Sequence, residues 1–217
     1  MTIRDNTSVF VDLANVEIPV QSVIRRLGYP RGEKIPEGKV GAFFQHAMNT
    51  APEMLKSRGV YRIIGIDTRT ESSIHFQDID FRIRSAQVTK MLRDAEKVVV
   101  FMVTIGPDLE QKVKLLMDAG NMTEAVILDA IGSETADAAA DKIHHSVLKK
   151  LAQTAGFTVT PRFSPGYGDW PVTVQRDVLQ ICDGKQIGIT VNDSFLMQPR
   201  KSVSAVLGWK PLSRESS

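Results

Sequence analysis

Arg162-Phe163-Ser164-Pro165-Gly166-Tyr167-Gly168-Asp169-Trp170-Pro171 packs one arginine, three aromatic residues, two glycines and two prolines into ten positions. That mixture suits neither a regular helix nor a strand, and it reads as a shaped ligand loop. Gly166 and Gly168 free the backbone of a Cβ where φ is unusual or a ligand comes close, while Pro165 and Pro171 stiffen the flanks. Arg162 offers a planar fork of donors that fits a carboxylate, and Tyr167 adds an apolar ring with a polar tip. The other reading of the same residues is a surface turn in which Tyr167 and Trp170 plug the edge of a core.

Outward from this loop, helices and strands interleave. Asp169 or Trp170 is placed to cap a helix over 171–183 that stops at Gly184, and Ile187–Val191 and Ser202–Leu207 read as strands. Upstream, the longest helix is predicted over 122–153. Asn121 and Glu124 have capping-box spacing, and Ala136, Ala140, Ile143, Val147 and Leu151 recur at helical steps. Asp137 and Asp141, four apart, lie on one side of it. Val98–Thr104 is a continuous apolar run expected to form a buried strand, after which Gly106-Pro107 opens another helix. Residues 84–95 read as helix, 60–66 and 72–82 as β, and 41–57 as helix. The loop-like 30–40 separates an N-terminal strand and short helix from the rest. This interleaving alone permits a parallel α/β fold.

The chain has 217 residues, 42% hydrophobic and 24% charged, enough for one sizeable core or two small ones. A single domain over 1–217 is expected. A net charge of +2, from 27 basic and 25 acidic side chains, gives no reason to expect nucleic acid. No apolar run approaches the roughly 18 residues of a membrane span, and the N-terminus lacks a secretory pattern, so a cytoplasmic, unanchored protein is expected. With Cys182 as the only cysteine, an intrachain disulfide, a zinc cluster and a thiolate-held iron–sulfur cluster are excluded, and radical S-adenosylmethionine chemistry with them.

The pattern Arg162-x-x-x-Gly166-Tyr167 with Pro171, followed by Ser194-Phe195-x-Met197-x-Pro199 and Lys201-Ser202-Val203-Ser204, resembles the activation domain of cobalamin-dependent methionine synthase. Ile143-His144 and Val147-x-Lys149, late in the long helix, extend the likeness. Thr104-Ile105-Gly106 and Leu128-Asp129-Ala130-Ile131-Gly132 make it most similar to the short, free-standing members. The resemblance covers about residues 97–208; residues 1–40 are unassigned by it. It implies an α+β fold, with a twisted, largely antiparallel sheet and helices packed around it.

S-adenosylmethionine carries a carboxylate, an ammonium and a sulfonium, so its site needs a cation, an acceptor and an acidic or aromatic surrounding. The resemblance implies that Arg162, Gly166 and Tyr167 contribute to that site and that Tyr167 faces the cobalamin. Asp137 falls where the family has an acidic ligand-binding residue, with Glu134, one turn earlier, as the fallback. The family's tyrosine pair beyond the Ser-Val-Ser strand has no counterpart here. No residue is expected to act as a general acid, base or nucleophile, and no metal site is expected. His144 and His145, adjacent on a helix, would point about 100° apart and could not chelate one ion together. Cys182 and the methionines read as core. No Gly-x-Gly-x-x-Gly follows a strand, and there is no Asp-x-His-x-x-Gly to hold cobalamin, so that cofactor is expected on a partner.

The function implied is an accessory reactivation subunit of a separate cobalamin-dependent methionine synthase. It binds S-adenosylmethionine and supports reductive methylation of inert cob(II)alamin, with the electron from flavodoxin or an equivalent donor. Two alternatives are a reactivator of another corrinoid methyltransferase and a noncatalytic S-adenosylmethionine-binding sensor or scaffold.

Overall fold

The computed structural model describes residues 6–33 and 37–212. The middle of the 30–40 loop and the last five residues therefore lie outside the described part. In chain order the elements are β1 (Val9–Asp12), α1 (Val20–Arg26), α2 (Gly38–Met54), β2 (Arg58–Arg69), β3 (Ser73–Phe76), β4 (Arg82–Arg84), α3 (Ala86–Met91), β5 (Lys97–Thr104), α4 (Asp108–Asp118) and α5 (Met122–Lys142). A π-helical segment, Ile143–Leu148, leads into α6 (Lys149–Thr154). Then follow β6 (Phe157–Val159), α7 (Gln175–Cys182), β7 (Thr190–Val191), β8 (Met197–Gln198) and β9 (Ser202–Pro211).

Among the described residues the main sheet has seven strands in the order β4-β3-β2-β5-β9-β6, with β1 also on β2. Every pairing is antiparallel, which fixes the α+β class and removes the parallel alternative. Strand β5 is central, and both of its faces are covered. Val98, Val100 and Met102 pack with Val206 against Val178, Leu179 and Cys182 of α7. Val99, Phe101 and Val103 pack with Ala205, Leu207 and Trp209 against Ala139, Ala140 and Ile143. A strand buried on both faces has no polar alternation, which is why its sequence reads as one apolar run. Each such side chain contributes on the order of 1.5–3 kcal/mol by leaving water. A third cluster, with Ile24, Phe44, Leu109 and Ile131, joins α1, α2, α4 and α5 beyond the sheet.

Several local expectations are corrected. The long helix is not regular: six π-helical residues interrupt it, and both Ile143 and His144 turn inward there. The rings of His144 and His145 stack, with centroids 4.4 Å apart, instead of splaying as on an α-helix. Asn121 does precede α5, but its side chain makes no capping bond, so no capping box forms. The helix after the loop starts later than expected, as a 3₁₀ turn over Val172–Val174 and then α7, which ends on Asp183 in the left-handed conformation. The strand expected over 187–191 is only Thr190–Val191, because Gly184–Ile187 forms a 3₁₀ turn. No helix among the described residues is long and apolar enough to cross a membrane.

Candidate functional site

Past the end of β6, Phe163 and Val206 of β9 exchange two backbone hydrogen bonds of 2.9 Å. This bridge orients the loop. The ring of Phe163 lies beside Trp170, with centroids 6.4 Å apart, on the α7 face of the sheet. Arg162, the preceding residue, alternates to the other face and meets Asp141 of α5.

The loop itself is pinned by its own backbone and by Trp170. Gly166 N–H donates to Trp170 C=O at 2.8 Å, and Trp170 N–H donates to Tyr167 C=O at 3.0 Å. Gly166 and Gly168 take φ of +91° and +55°, the left-handed region that a Cβ penalises. Trp170 is buried in the core, whereas Tyr167 is 70% exposed at the loop tip. The plug reading therefore applies to Trp170 and not to Tyr167.

Asp169 does not cap the helix that follows it. Its carboxylate accepts from the Ser85 hydroxyl and from the backbone N–H groups of Ala86 at 2.7 Å and Gln87 at 3.3 Å, so it caps α3. The Ser85 hydroxyl, with these two amides, holds the carboxyl below the usual range. The loop is thus tied to a helix 84 residues away in sequence.

A cavity of about 550 Å³ opens between the loop, α5, the start of α7 and the start of β9. Arg162 and Asp137 supply its charge, and Ser164, Gln175, Ser202 and Ser204 its neutral polar groups. Phe163, Pro165, Tyr167, Val172 and Val203 line it too, with Phe195, Leu196 and Met197 from the β7–β8 hairpin. That hairpin is held by Asn192, whose side-chain oxygen accepts from the N–H groups of Ser194 at 3.0 Å and Leu196 at 2.9 Å.

The structure brings Arg162, Asp137 and Tyr167 to one cavity. Gly166 shapes the loop behind Tyr167 without lining the cavity, and Glu134 does not line it either. Glu134 is instead paired with Arg26 of α1 at 2.5 Å, and Arg26 also stands 3.8 Å from Asp137. The Asp137 side chain is 54% exposed, and its carboxyl is pushed above its ordinary value first by partial loss of solvent and then by the charge of Glu134, against the opposing pull of Arg162 and Arg26.

The imidazole of His144, behind this cluster, is held below its ordinary value by burial, then by the charges of His145 and Arg162. Burial in the core raises the Cys182 thiol well above its ordinary value.

Three residues that pair with the charged groups here or line the cavity were given no role from the sequence. Arg26 lies 108 residues from Glu134, and nothing local marks it. Asp141 was visible only through its four-residue spacing from Asp137. Gln175 carried no signal beyond being a polar residue near a predicted helix start.

Comparison with known proteins agrees with this architecture. A crystal structure of the MetH reactivation domain bound to AdoHcy superposes with a TM-score of 0.71 at 16% identity, covering 97% of this chain and 80% of that one. At that identity the match shows a shared fold. No curated protein matches the chain. The model of the vitamin B12 dependent methionine synthase activation domain matches residues 80–216, well over half the sequence and including the loop, the hairpin and β9. The chain belongs to the vitamin B12 dependent methionine synthase activation domain family.

Proposed function

We propose that the cavity binds S-adenosylmethionine and that the chain presents its methyl group to a cobalamin carried by a separate methionine synthase subunit. The observation that carries this reading is the pairing of charges: Arg162 and Asp137 face one cavity whose remaining walls are mostly apolar, beneath an exposed Tyr167. A zwitterionic amino-acid end needs a guanidinium for its carboxylate and a carboxylate for its ammonium. Arg162 takes the first role and Asp137 the second. Glu134 acts through Arg26, holding that cation beside Asp137, and Gly166 lets the loop turn so that Tyr167 stands at the cobalamin side. Family membership and the AdoHcy bound by the structural neighbour support the choice of ligand.

In the reaction so assigned, a reductant such as flavodoxin supplies one electron to the partner's inert cob(II)alamin. The methyl carbon then leaves sulfur for cobalt. The S–CH₃ bonding pair stays on sulfur, giving S-adenosylhomocysteine, and methylcobalamin is restored. No proton moves, so no acid or base is needed from this chain. Its contribution is to hold the methyl in line, converting an encounter into an effectively unimolecular step.

The test is anaerobic. A cob(II)alamin-loaded methionine synthase is mixed with reductant and S-adenosylmethionine, with and without this chain, and methylcobalamin is followed by its visible spectrum. Faster formation with the wild type and a loss with Tyr167→Ala is the expected result. Ligand binding without any acceleration would identify a sensor and contradict the proposal.

A further inference from the structure

Gln175 begins α7 and is 3% exposed, yet it lines the same cavity. Its Oε1 accepts from the Ser204 hydroxyl at 2.9 Å, and its Nε2 has no partner. Turning the amide over only exchanges the two atoms, so one end of it is always left unpaired. The other unpartnered buried polar atoms among the described residues belong to Thr89, Trp170 and Trp209, none of which lines this cavity. A buried amide is costly to leave unsatisfied, so a cavity-lining one points to a ligand partner.

The fold places Gln175 away from the charged pair. Ser204 is two residues from Val206 and therefore on the same face of β9, the α7 face, while Arg162 turns to the α5 face. The same cavity is lined by the rings of Phe163 and Phe195, the latter covered on one face by the Arg176 guanidinium at 4.8 Å, and by the thioether of Met197. An apolar wall beside one carboxamide suits a flat heterocycle with an adjacent donor and acceptor. Adenine presents that pair at N6 and N7, and glutamine is its common bidentate reader.

We infer that Gln175, oriented by Ser204, reads the adenine of the ligand, making it the specificity residue for the nucleoside end. This rests on the S-adenosylmethionine reading of the cavity. Calorimetry with S-adenosylhomocysteine and S-inosylhomocysteine tests it, because the inosine form replaces the N6 donor with an oxygen acceptor. Wild type should prefer the adenine form by about tenfold or more. The double variant Gln175→Leu/Ser204→Ala removes both polar partners together, so it should melt no lower than wild type without ligand and bind both compounds alike. Gln175→Glu keeps the Ser204 bond, replaces the donor by an acceptor, and should weaken S-adenosylhomocysteine by about tenfold.

A preference that survives in the double variant, or an unchanged affinity in Gln175→Glu, overturns the adenine assignment and leaves the proposed function standing. Wild-type protein that binds neither compound overturns the proposed function, and the adenine assignment with it.

Discussion

The guanidinium of Arg162 is paired with the carboxylate of Asp141, one helical turn beyond Asp137 on α5. The cation expected to meet a ligand carboxylate is therefore already occupied by an internal one. Asp141 is 59% exposed, and such a pair is worth about 0–1 kcal/mol, so a ligand can displace it. Asp141→Asn should tighten S-adenosylhomocysteine by no more than about fivefold. Calorimetry that instead finds binding weakened tenfold or more would make Asp141 a direct ligand partner.

Asp137 should couple ligand affinity to pH. It must be ionised to hold an ammonium, and its carboxyl titrates above the ordinary value. Affinity should fall as pH drops through that raised value, and Asp137→Asn should flatten this acid limb while weakening binding at neutral pH. Stability moves the other way. The folded protein binds this proton more tightly than the unfolded chain, so the stabilisation is present at low pH and is lost as pH rises from the ordinary value through the raised one. At pH 7 the variant should melt no lower than wild type; a clear drop in melting temperature would contradict the assigned shift.

Asp169 has the opposite sign. Its carboxyl is held below the usual range by Ser85, Ala86 and Gln87, so it stabilises the fold above the unfolded-state value and ceases to do so as pH falls through the lower folded value. Asp169→Ala should lower the melting temperature at neutral pH, with the gap closing in strong acid. A gap independent of pH would mean that the carboxylate is not acting as the cap of α3.

Cys182 should not react with thiol reagents in the folded protein. Burial raises its thiol and shuts out the reagent, so modification should follow global unfolding and appear only with denaturant. Rapid labelling under native conditions would show that the α7 face of the core opens readily.

The sequence made the elements legible where one face or one run dominated. Val98–Thr104 announced a buried strand, but an apolar run carries no direction, and its antiparallel partners β2 and β9 became certain only from pairing. Asp169 looked like a cap for the helix beside it because capping is a local rule, yet the fold brought α3 to it from 84 residues away. The π-helical turn at Ile143–Leu148 preserves enough apolar spacing to pass for α-helix. At the site, Arg162, Asp137 and Tyr167 could be picked from the loop and helix by their chemistry and the family resemblance. Arg26 and Gln175 could not, since what marks them is a distant ion pair and an unpaired buried atom, both properties of packing alone.

The central claim is that Arg162 anchors S-adenosylmethionine in this cavity. Its direct test is titration of wild-type and Arg162→Ala protein with S-adenosylmethionine, alone and with a cobalamin-loaded methionine synthase present. A charge-assisted hydrogen-bonded contact is worth about 1.5–3 kcal/mol, so the account expects saturable wild-type binding and a loss of about tenfold to a hundredfold in the variant. Equal binding by both proteins, or none by the wild type with the partner present, would contradict it.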